Sequence, residues 1–396
     1  MKDPVTAVTG ITYDRESIEK WLKTTRNTTC PVTKQPLPSD SDLTPNHTLR
    51  RLIQAWCIAN ASNGMDRIPT PKSPLDKSRV IKLIREFAVP SLCINALKKM
   101  DVLAKENERN RKCMQETGVG KPLVLFLIKC HRERRIVGLE EALRILYLTW
   151  LPSSEIKAVL NDKHDSIINC LIWILGFDFD QIETNNNSAV VVIKTHAMLV
   201  LRKVVEILNT RVLEKLEPEF FKQVLKIFNS KISQQATKSA LMILTDVCLW
   251  GRNKSKIVEA NAIFDLIEFE LQKPDKNITE LIINLLAHLC SCAEGRAQFI
   301  RHAGSIAMLA KRILRVSPAT DDQAVHILSL ISKYSAAKQV LLEMLRVGAV
   351  TKLCMVIQAD CPAYLKEKAS GVLRLHTNLW NNSPCIAVYL LTRYQR

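Results

Sequence analysis

A small-residue turn followed by an apolar helix recurs along residues 78–396, and a fixed recurrence limits a fold more than any single motif does. Gly118, Gly304 and Gly348 open TGVGKPLVLFL, AGSIAMLAKRIL and VGAVTKLCMVI, and Ala262 holds the same place in ANAIFDLIEFEL. Ala262, Gly304 and Gly348 are 42 and 44 residues apart. Before each junction comes an Ala/Leu-rich helix: ALKKMDVLA from Ala96, ALMILTDVC from Ala240, IINLLAHLC from Ile282 and AVHILSLIS from Ala324. Charged turns follow, such as NERNR near Asn110 and AEGRA near Gly295. Each helix pair leaves apolar surface that only the next copy covers, so the expected stack is nearly one-dimensional and curved, with a long concave face. Copies between Glu140 and Ser230 are degraded, and Asn185 to Asn187 reads as an inserted loop. About six or seven copies fit, the last incomplete.

Composition supports helix. Gly is scarce, at 11 residues, and the chain is 47% hydrophobic and 24% charged. The longest apolar run, Ile167 to Phe177, is broken by Asn169 and is too short for a membrane span, so no transmembrane segment is expected. The 12 Cys form no CxxC pair, so neither a zinc site nor a cofactor is expected. The opening MKDPVT carries no secretory signal, and the expected setting is the cytoplasm or the nucleus, with reduced thiols. Net charge is +17. Residues 1–77 hold eleven Lys and Arg against eight Asp and Glu, which leaves +14 in the helical part. Lys129 to Arg135 is the densest basic cluster and reads either as a solvated inter-helix loop or as a contact for phosphate or an acidic peptide. Aromatics are only 6% and are not interleaved with the basic residues, so nucleic acid is not an expected partner.

Residues 1–57 have a different pattern. Val5, Val8 and Ile11 alternate around Gly10, a strand–turn signal. A helix then begins at Asp14 or Arg15 and places Ile18, Trp21 and Leu22 on one face. CPVTKQPL, Cys30 to Leu37, is a Pro-bracketed loop. LTPNHTLRRLIQAWC, Leu43 to Cys57, enters a second helix through Asn46 or Thr48 and aligns Leu49, Ile53 and Trp56. Residues 58–77, with Pro69, Pro71 and Pro74, form a stiff linker. Cys30, His47 and Cys57 are too few for a four-ligand metal site.

The order GITYDR, CPVTKQPL and Pro-Asn-x-x-Leu-x-x-x-Ile resembles the U-box, the zinc-free relative of the RING finger. The Gly turns and the NERNR element resemble armadillo repeats rather than HEAT repeats, and DRIPTP, Asp66 to Pro71, narrows the resemblance to plant U-box proteins with armadillo repeats of the immune and stress-signalling subgroup. The fold class expected is mainly α: an armadillo-type α-solenoid over 78–396, preceded by a small zinc-free α+β box over 1–57.

The resemblance implies a ubiquitin ligase that recruits a charged ubiquitin-conjugating enzyme (E2) and ubiquitin through the box and a protein substrate through the array. It is also compatible with a homo-oligomer. By resemblance, Ile18, Trp21, Pro31 and Lys34 face the conjugating enzyme, and Trp21 reads equally as core. Lys34 stands where some U-boxes carry Arg, and it lacks the planar fork. Asp14, Arg15 and Asn46 are expected in the polar network that replaces zinc. The third helix of each copy lines the groove in armadillo proteins. By register these helices begin near Pro122, Ala262, Gly304 and Gly348, which offers Lys129, Glu268, Lys311, Arg312, Arg315 and Lys352 as groove residues, either contacting a partner or keeping the groove soluble. Met1-Lys2-Asp3-Pro4 stands where the family has Met-x-Asp-Pro, and the Phe-x-Cys-Pro-Ile loop that precedes it there is absent. The expectation is an incomplete gene model or a shortened isoform, weak as a ligase. A non-catalytic scaffold or dominant-negative form is the alternative. No catalytic side chains are expected: there is no phosphate loop, no HExxH, and each of the eight His is isolated.

Overall fold

The computed structural model describes residues 1–24, 29–37, 43–60, 75–177, 187–230, 232–380, 384 and 386. The string from Asp66 to Pro71, most of the linker, and Asn185 and Asn186 lie outside these residues. The chain divides into two compact units, Met1–Pro74 and Leu75–Arg396.

The first unit opens with β1 (Pro4–Thr6), β2 (Thr12–Asp14) and α1 (Arg15–Thr24), and continues with β3 (Thr44–Pro45) and α2 (His47–Ala59). The strands form one antiparallel sheet in the order β2-β1-β3, with Val5 opposite both Tyr13 and Pro45. Gly10 makes the turn with φ +78, a left-handed conformation that costs glycine little. Val5, Ala7, Ile18, Cys30 and Leu37 are the core, with Tyr13, Trp21 and Leu22 packed against it. On α2 the inward positions are Leu49, Ile53 and Cys57, each four residues apart. Trp56, expected on that face, is 54% exposed.

Among the described residues of the second unit every regular element is a helix, in layers of short, second and third helices. The third helices are α4 (Cys93–Glu106), α7 (Leu139–Leu148), α9 (Asn187–Val205), α12 (Gln234–Val247), α15 (Lys276–Cys290), α18 (Pro318–Tyr334) and α21 (Ala363–Leu375). The second helices are α6 (Gly120–Glu133), α8 (Ser154–Gly176), α11 (Pro218–Asn229), α14 (Ala262–Leu271), α17 (Ser305–Arg312) and α20 (Ala349–Gln358). Short first helices precede them: α5 (Glu108–Glu116), α10 (Thr210–Glu214), α13 (Asn253–Glu259), α16 (Ala293–Arg301) and α19 (Lys338–Arg346). In the layer of α8 the first and second helices meet at a non-helical kink at Lys163. α3 (Lys77–Ala88) pairs with α4 at the start, and α22 (Thr377–Trp380) follows α21. One continuous core runs from Leu75 to Trp380.

The two rows differ in closeness. Neighbours along the α4-to-α21 row touch extensively, whereas α14, α17 and α20 touch one another less. In a curved stack the closer row is the inner one, so the third helices line the concave side. This corrects the register read from sequence. The helices that begin near Pro122, Ala262, Gly304 and Gly348 are α6, α14, α17 and α20, all in the outer row.

Candidate functional site

In the box, polar side chains join the strands to the helices. Pairing of Pro4 with Asp14 brings the Asp14 carboxylate over the start of β1. Its Oδ1 accepts the N–H groups of Lys2 (2.7 Å) and Asp3 (2.9 Å). Arg15, the first residue of α1, donates from Nε to Asp3 Oδ2 at 2.7 Å and from its backbone N–H to the Asp3 carbonyl at 2.9 Å. Asp3 therefore connects strand and helix, a role its Asp-Pro sequence alone did not reveal.

Asn46 performs the same task for α2. Its Oδ1 caps the helix by accepting from the Leu49 N–H at 2.9 Å. Its Nδ2 donates to the hydroxyls of Thr6 and Thr12, each at 3.3 Å, and those two hydroxyls bond each other at 2.9 Å. One amide thus fixes the helix start to two strands. Among the described residues, no group of three or more His, Cys, Asp or Glu is placed to hold a metal ion.

Cys30 has a structural role that its sequence context does not announce. It is fully buried, and three partners converge on Sγ: the Tyr13 hydroxyl (2.8 Å), the Thr9 hydroxyl (3.5 Å) and the Thr33 N–H (3.4 Å). Burial pushes the thiol up, but the hydrogen bonds from Thr33, Thr9 and Tyr13 together outweigh it and bring the thiol down to about 6. Enclosed in this way, Cys30 anchors a loop rather than attacking a substrate.

The four residues expected to face a conjugating enzyme separate. Ile18 is 1% exposed and belongs to the core, which corrects its assignment to a docking face: a helix on so small a sheet must turn its most apolar position inward. Trp21 is half-buried against that core, and its indole N–H donates to the Thr29 carbonyl at 3.0 Å. That bond ties α1 to the loop carrying Pro31, half-exposed, and Lys34, exposed with φ 59 at the reversal. The loop closes through Lys34 N–H to the Cys30 carbonyl (3.0 Å) and Cys30 N–H to the Gln35 carbonyl (2.8 Å). Val32 beside them is 63% exposed, an apolar position that sequence reading passed over.

The groove candidates sit on the outer row. Lys129 lies 3.8 Å from Glu133, one turn along α6. Glu268 accepts from His302 Nε2 at 2.8 Å, across the junction that precedes α17. Arg312 is committed to structure: its Nε lies 2.6 Å from Oε1 of the fully buried Glu270, its NH2 group donates to the Glu270 carbonyl (3.2 Å), and Thr279 donates to the same carboxylate (3.0 Å). Burial raises the Glu270 carboxyl, and Arg312 and Thr279 oppose the shift. Lys311 and Arg315 are exposed, and Lys352 is half-exposed on α20.

On the inner row, ionic side chains pair one period apart. Arg144 grips Asp101 with two bonds, 2.7 and 2.8 Å, and also bonds Glu140 at 2.7 Å. Arg202 bonds Asp246 on the next helix, and Lys368 bonds Asp322 at 2.8 Å. Burial raises the Asp101 carboxyl, but Arg144 and Lys105 prevail and hold it below the ordinary range. The signal lay in the sequence as opposite charges 43, 44 and 46 residues apart.

Comparison with known proteins accounts for both units. A family profile described as U-box domain matches residues 1–62, and one described as Plant U-box protein ARM repeat region matches residues 79–396. In Arabidopsis thaliana, E3 ubiquitin-protein ligase PUB24 is 41% identical, covering 99% of this chain and 93% of its own. E3 ubiquitin-protein ligase PUB23 is 40% identical, covering 100% of this chain and 94% of its own. The chain belongs to the plant U-box proteins that carry an armadillo repeat region.

Proposed function

We propose that this protein is an E3 ubiquitin ligase whose box holds a ubiquitin-charged conjugating enzyme while the helical array recruits a protein substrate. The observation that carries the reading is the box itself, a family-matched fold tied together by Asp3, Asp14, Arg15, Cys30 and Asn46, with Trp21, Pro31 and Lys34 on one helix–loop junction. The thioester belongs to the partner, so the ligase needs no nucleophile. It contributes proximity and orientation, which are large terms on their own. Trp21, Pro31 and Val32 supply the apolar part of the docking face, and Lys34 supplies a charge at its edge. A role in immune and stress signalling in the cytoplasm or nucleus belongs to the same reading and is supported by the sequence resemblance.

The test is reconstitution with ubiquitin-activating enzyme, a panel of conjugating enzymes, ubiquitin and ATP. Slow formation of conjugates on the protein, dependent on one of the conjugating enzymes, is expected. A folded protein that stays unmodified with every member of the panel overturns the reading.

A further inference from the structure

In the layer of α8 the first and second helices join at a kink. In several layers the short helix ends at a left-handed residue, Gly118, Asn261 or Gly348, before the second helix starts. In α8 the chain passes through Lys163 at φ −123 and ψ 27 with no left-handed turn. Beside the first segment of α8 there is a cleft of about 780 Å³, within the size range of ligand sites. Its apolar wall is Tyr147, Trp150, Pro152 and Ile207. Tyr147 is held edge-on to His196, with ring centroids 6.2 Å apart.

The charge around this wall is positive. Lys157 and Lys203 both line the cleft, against a single carboxylate, Glu206. That carboxylate is already engaged: Arg202 bonds one oxygen at 3.0 Å and Lys203 the other at 3.2 Å. Lys157 has no ion-pair partner among the described residues. Tyr147 belongs to α7 and Lys203 to α9, so the cleft is lined from two neighbouring inner-row helices.

We propose that this cleft docks a segment of a protein substrate in which an aromatic or long aliphatic side chain stands next to Asp or Glu. The apolar side chain fills the space against Trp150 and Tyr147, and the carboxylate meets Lys157. The proposal rests on the reading of the array as the substrate-recruiting part.

A phage library of random dodecapeptides selected on the full chain tests it, followed by fluorescence polarisation of the enriched peptides. Enrichment of Trp, Phe or Leu beside Asp or Glu is expected. Affinity should fall about tenfold or more in Trp150→Ala, the scale of a lost apolar anchor, and should weaken as salt rises. Lys157→Glu should weaken it as well. That exposed, unpaired residue keeps the test independent of folding, and helical circular dichroism checks both variants. Enrichment of basic peptides, enrichment of none, or binding that survives both substitutions overturns the proposal. Binding is read without any conjugating enzyme, so failure here is separate from failure of ligation in the reconstituted assay.

Discussion

Ile18 and Trp21 lie three residues apart on α1 and answer to different requirements. Ile18→Ala removes a fully buried side chain, which commonly costs ~2–5 kcal/mol, and a small box has little to spare. Loss of the box transition in calorimetry of the full chain is the expected outcome. Trp21→Ala should leave that transition detectable while conjugate formation drops about tenfold or more, because a half-buried indole beside an exposed loop contributes as an interface anchor. Ligation at the normal rate by a folded Trp21→Ala protein would remove Trp21 from the docking face. Cys30 adds a pH dependence. Its folded value, about 6, lies below its ordinary value of 9.0. Its contribution is therefore complete above pH 9 and shrinks as pH falls toward 6. The box transition should move to higher temperature as pH rises from about 6 to 9, and Cys30→Ser should flatten the slope.

Among the elements, the short first helices carry a device that motif reading described only as a charged turn. Asn110 Nδ2 donates to the Leu103 carbonyl (3.1 Å), Asn253 Nδ2 to the Val247 carbonyl (3.0 Å) and Arg296 to the Cys290 carbonyl (3.1 Å). Each satisfies an orphan carbonyl at the end of the preceding third helix. Asn253→Ala, at a fully buried site, should cost about 1–3 kcal/mol in chemical denaturation. Gly295→Ala should cost more than an ordinary helical substitution, because a Cβ there would lie 2.0 Å from the Leu289 carbonyl oxygen. Charge reversal separates Arg312 from its neighbours. Lys311→Glu with Arg315→Glu should leave the denaturation midpoint nearly unchanged, whereas Arg312→Glu places a second carboxylate against buried Glu270 and should unfold the array. The period was legible because Ala262, Gly304 and Gly348 each open a helix. Which row faced inward was not, because both rows are apolar and differ in neighbour spacing, which periodicity does not encode. Charge spacing did not separate the rows either: Asp101 with Arg144 and Arg202 with Asp246 meet one period apart on the inner row, and Glu270 with Arg312 on the outer row.

At the scale of the whole molecule, the two units have separate cores, one around Val5, Ile18 and Leu37 and one running from Leu75 to Trp380. Removal of residues 1–74 should leave the helical circular dichroism of the array and its main thermal transition in place, and collapse of that transition would show that the array depends on the box. Chelator should shift neither transition, and stoichiometric zinc by elemental analysis would contradict a box held by hydrogen bonds. In the box, the helix starts and the Cys30 loop were readable because local motifs encode them. The convergence of Tyr13, Thr9 and Thr33 on Cys30 was not, since it arises only when the β1–β2 hairpin and the loop fold onto each other.

The caps from Asn110, Asn253 and Arg296 also bear on where such a chain can be cut. Each side chain lies at sequence positions after the helix it closes, so the unit that keeps its bonds does not end where the third helix ends. A fragment stopping at Val247 leaves bare carbonyls at its terminus, and one continued through Asn253 keeps them bonded. Grafts and truncations of this array should therefore be phased to finish inside a first helix, with its opening turn retained as the lid of the layer before it.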